Sequence, residues 1–293
     1  MSNPSGQIAH VSDTALWVAY YRHMESERPD AIFNDPYARM LSGEKGEAIV
    51  NAMRSGRQMA WAMIVRTKVF DEVILELIAT EGVDLVINLA AGLDARPWRL
   101  DLPAALRWVD VDFPDMLEYK ASRLRNEVPH CRYEAVATDL ADPTTRAGVF
   151  ARISGRATRT LVLSEGLLIY LHADEVASLA RDLATIPSAR WWLMDLASPR
   201  LLKWMTRSWA KQGKMGTAEF RFAPAEGTAF FASHGWSEAR FISAMEAAER
   251  LKRTMPGARF WRWMMKLYPK RVRDGFKRFS GYPLLQRNEA RGG

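Results

Sequence analysis

The sequence predicts an α/β fold, a doubly wound and mostly parallel sheet preceded by helices, and three observations point that way. Through Ala79, apolar residues recur at helical spacing. From Leu85 onward, short apolar runs alternate with helical stretches, the pattern of βαβ units whose strands are buried on both faces. After the first apolar run comes a turn of small residues and a glycine, where a ligand can approach the backbone because no Cβ obstructs it.

Taken in order, Ser12 reads as the N-cap of a first helix carrying Leu16, Trp17, Ala19, Tyr20 and Tyr21. Asn34-Asp35-Pro36-Tyr37 reads as a turn or helix start. A helix from Met59 to Ala79 places Val69, Val73, Leu77 and Ile78 on one face, and Gly82 breaks it. Strands are expected at Leu85–Ala90, Trp108–Asp112, Tyr133–Thr138, Thr160–Leu163 and Trp191–Leu196. Between them, Met116, Leu117, Ala121 and Leu124, and later Val176, Leu179, Ala180 and Leu183, keep helical spacing. Lys203–Gly235 is helical and aromatic but less regular. A short strand at Ala239–Ile242, a capping box at Ser243-Ala244-Met245-Glu246 and a closing antiparallel strand at Tyr282–Gln286 complete the chain. The expected organisation is a helical lid over 1–82, a ligand-binding α/β core over 83–198, and a helical insertion with closing strands and a basic segment over 199–293, forming one structural unit with the core.

A chain of 293 residues, 48% hydrophobic and 26% charged, can bury a sizeable core without staples. The single cysteine, Cys131, excludes an intramolecular disulfide framework and a multi-cysteine zinc site, and no metal is expected. Met1–Asp13 is polar and lacks a signal-peptide pattern, and no apolar run is long enough to span a bilayer, so a cytoplasmic location is expected. The net charge of +7 is uneven: residues 246–293 hold 13 basic and 4 acidic residues, and the remainder 28 and 30. A basic balance confined to the tail argues against nucleic acid as the partner.

The chemistry begins at Val86-Ile87-Asn88-Leu89-Ala90-Ala91-Gly92-Leu93-Asp94. The second strand ends in Asp110 and Asp112, 18 and 20 residues beyond Gly92. A carboxylate at that distance suits a ribose diol, because it can accept from both hydroxyls; Asp112, at the extreme end before Phe113-Pro114, is the better placed. A dinucleotide would want glycines where Ala90, Gly92 and Ala95 stand, and Asp94 would repel its pyrophosphate. S-adenosylmethionine has no phosphate; its ammonium welcomes a carboxylate such as Asp94, and its carboxylate wants an arginine. Two later strand ends agree. Asp139 can accept from an adenine amino group, Leu140 can pack on the ring, and Glu165 lies above the same crevice. Toward the acceptor, His172 and Tyr170 are the candidates for proton transfer or orientation; neither is a compelling base, which favours a carboxylate acceptor, already ionised at neutral pH.

At these residues the chain resembles the leucine carboxyl methyltransferase family, more closely its bacterial branch. The matching pieces are Thr14-Ala15-Leu16-Trp17-Val18-Ala19 with Arg22, Asp35-Pro36-Tyr37-Ala38, Arg66-Thr67 with Asp71, and Asn88 through Arg96. They continue through Val111-Asp112-Phe113-Pro114, Asp139-Leu140, Ser164 through Leu171, and Gly235-Trp236. The resemblance implies a class I, Rossmann-like methyltransferase fold with extra N-terminal helices and an insertion after the fifth strand. It also implies that Arg66, with Arg22 as a second partner, holds the donor carboxylate, that Asp112 takes the ribose, that Asp139 and Leu140 flank adenine, and that Glu165 sits near the amino-acid end. The glycine usual at position 90 is replaced by alanine.

The expected activity is S-adenosylmethionine-dependent O-methylation of a small molecule or carrier-protein-bound acceptor. The rivals are a nicotinamide-dependent oxidoreductase and a non-catalytic S-adenosylmethionine-binding module. The tail Phe260-Trp261-Arg262-Trp263-Met264-Met265-Lys266-Leu267-Tyr268-Pro269-Lys270-Arg271 mixes aromatics with cations. It suits an apolar acceptor pocket, an acidic carrier, peripheral contact with an anionic membrane, or plain amphipathic packing.

Overall fold

The structure is a computed structural model and describes the backbone of residues 12–53, 56–210, 219–255, 257–265 and 267–288, with the side chains of most of them. Three helices come first: α1 (Ser12–Ser26), α2 (Ala38–Ala52, kinked at Gly43) and α3 (Gly56–Glu81). Gly82, at φ 64°, ends α3 in a left-handed turn that favours glycine. The chain then alternates through β1 (Leu85–Leu89), α4 (Arg96–Arg99), β2 (Arg107–Asp112), α5 (Pro114–Leu124), β3 (Arg132–Ala137), α6 (Pro143–Ser154), β4 (Thr160–Ser164), α7 (Ala173–Ala184) and β5 (Ala189–Met194). It closes with β6 (Leu196–Ala197), α8 (Pro199–Ala210), β7 (Trp236–Ser243), α9 (Ala244–Arg250), α10 (Ala258–Met265), α11 (Lys270–Lys277) and β8 (Ser280–Arg287).

The sheet order is β3-β2-β1-β4-β5-β8-β6, with β7 paired to β8. Strands β1 to β5 run parallel, and β8 is antiparallel to β5, β6 and β7. The order reverses between β1 and β4, which opens a crevice at their carboxyl ends. Alternate residues of each strand feed opposite cores. Leu85, Ile87 and Leu89 pack with α6 and α7 through Phe150, Val176 and Leu179. Val86, Trp108, Leu161 and Leu193 pack with α3 through Val69, Val73 and Leu77.

Three boundaries differ from the sequence expectation, each for a local reason. Strand β7 starts at Trp236 because a register shift between Glu238 and Arg240 breaks the alternation that would reveal it. The fifth strand stops at Met194, so Asp195 leaves the ladder and the pairing resumes only at Leu196. In the stretch expected to be helical from Lys203, α8 ends at Ala210, residues 211–218 lie outside the described residues, and 219–226 carry no helix before a 3₁₀ helix at Gly227–His234. At the expected capping box, Ser243 accepts from the Glu246 N–H at 3.5 Å, but the Glu246 carboxylate pairs with Lys277 at 2.8 Å instead of closing the box. The side chains of Ser12 and, in the aromatic tail, of Trp261, Arg262 and Met265, together with the whole of Lys266, lie outside what the structure describes.

Candidate active site

A cleft of about 380 Å³ opens at the carboxyl ends of the parallel strands, under α1 and α3. Its floor is set by the turn after β1. Ala90 and Gly92 both hold left-handed φ values, 50° and 51°. A Cβ at Gly92 would come within 3.3 Å of the Ala15 Cβ on α1, so glycine there permits both the turn and the close helix above it. The turn aims the Gly92 N–H at Asp112 Oδ2 (2.7 Å), while the Phe113 N–H donates to Oδ1 (2.7 Å). Burial pushes the Asp112 carboxyl above its ordinary range, and the two N–H groups oppose that shift.

Asp110 and Asp112 stand two residues apart on β2 and so share a face of the sheet; depth along the strand separates them. Asp110, two residues back from the strand end, is fully buried and accepts from Lys120 Nζ (2.6 Å), Tyr133 Oη (2.9 Å) and Trp108 Nε1 (2.9 Å). Asp112 lines the cleft.

Above the β1–β4 crevice runs a ladder of alternating charge. Arg66 of α3 donates from Nε to Glu165 (3.0 Å) and from Nη1 to Asp195 (3.2 Å). Arg96 joins Glu165 (2.8 Å), Asp94 (2.6 Å) and Asp71 (2.7 Å). Arg99 grips Asp71 with both terminal nitrogens (2.8 and 2.7 Å). Arg22 of α1 donates to Asp35 (2.7 Å) and to the Leu93 carbonyl (2.6 Å). Four guanidinium groups thus meet five carboxylates, Asp35, Asp71, Asp94, Glu165 and Asp195, leaving one net negative charge beside the cleft. Burial would raise the Asp94 carboxyl, but Arg96, Lys120 and Arg99 outweigh it and hold it well below the usual carboxylate range.

The cleft gathers Arg22, Arg66, Ala90, Gly92, Asp94, Asp112, Phe113, Asp139, Leu140, Glu165 and Tyr170. His172 is a correction: it is exposed, outside the cleft, and it precedes α7 with its backbone N–H donating to Glu175 (2.6 Å). The end of β4 turns into a 3₁₀ helix at Leu168–Tyr170 that carries the chain away before residue 172. A second correction concerns the arginines. Sequence reasoning sets a row of acids against Arg66 and Arg22, yet both already bind protein carboxylates. Reasoning from single strand ends overlooks Asp71, Arg96, Arg99 and Asp195 as members of the ladder. Their signal was present in the Arg-rich Asp94-Ala95-Arg96-Pro97-Trp98-Arg99 stretch and in a polar Asp195 inside an apolar run.

The cleft has two unlike ends. Toward β2 and β3, Phe113 is half-exposed, Leu140 is buried, and Asp139 stands at the rim, accepting from the Ala141 N–H at 2.8 Å. Toward α1 and α8 the lining is apolar: Trp17, Met63, Ile169, Tyr170, Met205 and Phe220. The Arg221 and Phe222 N–H groups bond the Ile169 carbonyl (2.7 and 3.2 Å), which fixes Phe220 beside Tyr170, with ring centres 5.8 Å apart. Burial pushes the Tyr170 hydroxyl up to about 12, so at neutral pH it is a hydrogen-bond donor and not a base.

A five-stranded parallel run in the order 3-2-1-4-5, with an antiparallel closing strand and a glycine turn after its first strand, defines a class I, Rossmann-like methyltransferase fold, and its sequence relatives are named as S-adenosyl-L-methionine-dependent. Solved structures agree on the fold. A provisionally named methyltransferase from Thermobifida fusca superposes with a TM-score of 0.56 over 92% of this chain and 94% of its own, at 15% identity. A magnesium protoporphyrin IX methyltransferase from Synechocystis with bound S-adenosylhomocysteine gives 0.50 over 80% and 88%, at 14% identity.

The leucine carboxyl methyltransferase model matches residues 15–184, and the chain belongs to that family. A provisionally named S-adenosyl-L-methionine-dependent methyltransferase of Streptomyces coelicolor is 40% identical over 186 residues, 59% of this chain and 62% of its own length. A provisionally named one from Parafrankia is 34% identical over 267 residues, 85% of this chain and 83% of its own. The matched stretch of the first relative thus spans less than two thirds of its length.

Proposed function

We propose that the protein transfers a methyl group to oxygen, and that the acceptor is a carboxylate on a small molecule or a carrier-bound metabolite. One observation carries this: the apolar end of the cleft, lined by Trp17, Met63, Ile169, Tyr170, Met205 and Phe220, includes no histidine, lysine or carboxylate among those described residues. Glu165, Asp94 and Asp195 accept from arginines, Asp112 accepts from two backbone N–H groups, and Tyr170 keeps its proton. An acceptor that is already ionised needs no base, whereas an alcohol or amine does.

When bound, S-adenosylmethionine supplies a methyl group on a sulfonium, and the chain's work is to hold both partners in line. Asp112 is suited to the ribose hydroxyls, since each of its oxygens keeps acceptor capacity beyond the backbone N–H it already binds. Phe113 and Leu140 offer apolar surface for adenine, and Asp139 an acceptor at its rim. Asp94 and Glu165 lie where the ammonium would be received, and the ladder's net negative charge complements a donor whose net charge is positive. Arg66 and Arg22 support this surface mainly through the acids they hold. The apolar end, with the Tyr170 hydroxyl as its donor, suits an organic acid with a hydrophobic body. A donor of this kind is a cytoplasmic metabolite, which supports a cytoplasmic site of action.

The test is incubation with labelled methyl donor and fractionated extract, followed by mild alkali. A methyl ester releases its label as methanol, and turnover should show no basic limb between about pH 6 and 9, because a carboxylate acceptor is ionised throughout that range. An alkali-stable product would overturn the carboxylate assignment.

A further inference from the structure

We infer that the rim formed by α8, α10 and α11 docks on an anionic lipid bilayer. The twelve residues of α8 contain no acid, and Arg200, Lys203, Trp204 and Arg207 fall at i, i+3, i+4 and i+7, a single helical stripe, all of them exposed. Trp204 is 56% exposed. The opposite face of the same helix packs inward: Leu202 and Met205 join the Trp17 cluster, and Met205 lines the cleft. One helix thus separates the apolar end of the cleft from a cationic, Trp-bearing surface.

A second stretch repeats this chemistry next to it. Over 258–277 the sequence has seven basic residues against one acid, Asp274. Phe260 and Trp263 stand one turn apart on α10 with ring centres 6.2 Å apart, and Trp263 is 61% exposed; Leu267 and Tyr268 follow, also exposed. Lys270, Arg271 and Arg273 of α11 are exposed as well. The two stretches meet: the Ser198 N–H, just before α8, donates to the Phe279 carbonyl just after α11 at 3.0 Å. Ala197 pairs with Ser280 there, at the sheet edge where Asp195 enters the cleft.

The charge complementarity names an anionic partner, and the exposed rings and leucine choose which one. Large apolar side chains left in water gain by burial at the headgroup–acyl boundary, where Trp, Tyr and cations are at home. A small acidic protein would answer the cations but would leave much of that apolar surface wet. Resting on the methyl-transfer reading, docking would bring the acceptor end of the cleft to within one helix of the bilayer, which favours an amphiphilic acid as acceptor.

Flotation of the full chain with vesicles tests this without donor or acceptor, so failure here and failure of the methyl-transfer reading are separate results. Binding is expected to phosphatidylcholine vesicles containing phosphatidylglycerol and not to phosphatidylcholine alone, and it should weaken as salt rises toward about 0.5 M. Lys203→Glu with Arg207→Glu should lower partitioning at least about tenfold. Trp204→Ser with Trp263→Ser should lower it at unchanged charge. Far-UV circular dichroism checks that the variants fold, and the salt series on the unaltered chain stands independently of them. No binding to the anionic vesicles at low salt, equal binding to neutral ones, or capture by an acidic carrier protein without vesicle binding would overturn the proposal.

Discussion

At the scale of single residues, Ala90 is the most informative position. A side chain at φ 50° is strained by about 1–2 kcal/mol relative to glycine, whereas glycine costs about 0.4–1 kcal/mol in the unfolded chain. Ala90→Gly is therefore expected to leave melting unchanged or to raise it slightly. It should also tighten S-adenosylhomocysteine binding in calorimetry, because a methyl is removed from the cleft lining. Loss of both stability and affinity would show that the methyl packs productively there. Asp110 and Asp112 give the complementary lesson. Their spacing from Gly92 was legible in the sequence, and position along the strand decided the rest: Asp110 lies within the ladder as a buried structural acid, whereas Asp112 ends the strand and reaches the cleft.

At the scale of elements, strands and their order were legible because parallel strands buried on two faces are written as uninterrupted apolar runs. The ladder was not, because it joins α1, the Asp35 turn, α3, the β1–α4 turn, and the ends of β4 and β5, none adjacent in sequence. Carboxylates at strand ends announce a site, but which cations answer them depends on packing that periodicity does not record. The His172 expectation failed for a similar reason: position in sequence after β4 says nothing of the 3₁₀ turn that carries it out of the cleft. Arg96 is the centre of the ladder, with contacts to three carboxylates and 3% side-chain exposure. Arg96→Leu leaves Asp94 without its arginine and Asp71 and Glu165 with one each, and is expected to cost about 3–5 kcal/mol in urea unfolding, with Arg96→Lys recovering part of the loss. A cost below about 1 kcal/mol would mean that the neighbouring arginines rearrange to fill the gap.

At the scale of the whole molecule, the buried acids predict the pH profile. The folded Asp94 carboxyl lies below its unfolded value of about 3.9, so its contribution is complete above that value and is lost as pH falls below it. Asp112 has the opposite sign: its folded value is raised, so its ionisation opposes folding, and that cost grows as pH climbs from the unfolded value through the folded one. Melting temperature should therefore hold or rise slightly on going from neutral pH to about 5, then fall steeply below about 4. Asp94→Asn should blunt the acid limb; an acid limb unchanged in that variant would place the proton-sensitive groups elsewhere.

The glycine turn under α1 has one more consequence. Because Gly92 touches the first helix on one side and Asp112 on the other, and because Arg22 reaches down to the Leu93 carbonyl, the same few atoms that would cradle a nucleoside also fasten the leading helices to the sheet. Pocket and helix attachment share a keystone, so the chain has little freedom to reshape one without loosening the other, and the aromatic end of the cleft has more room for change.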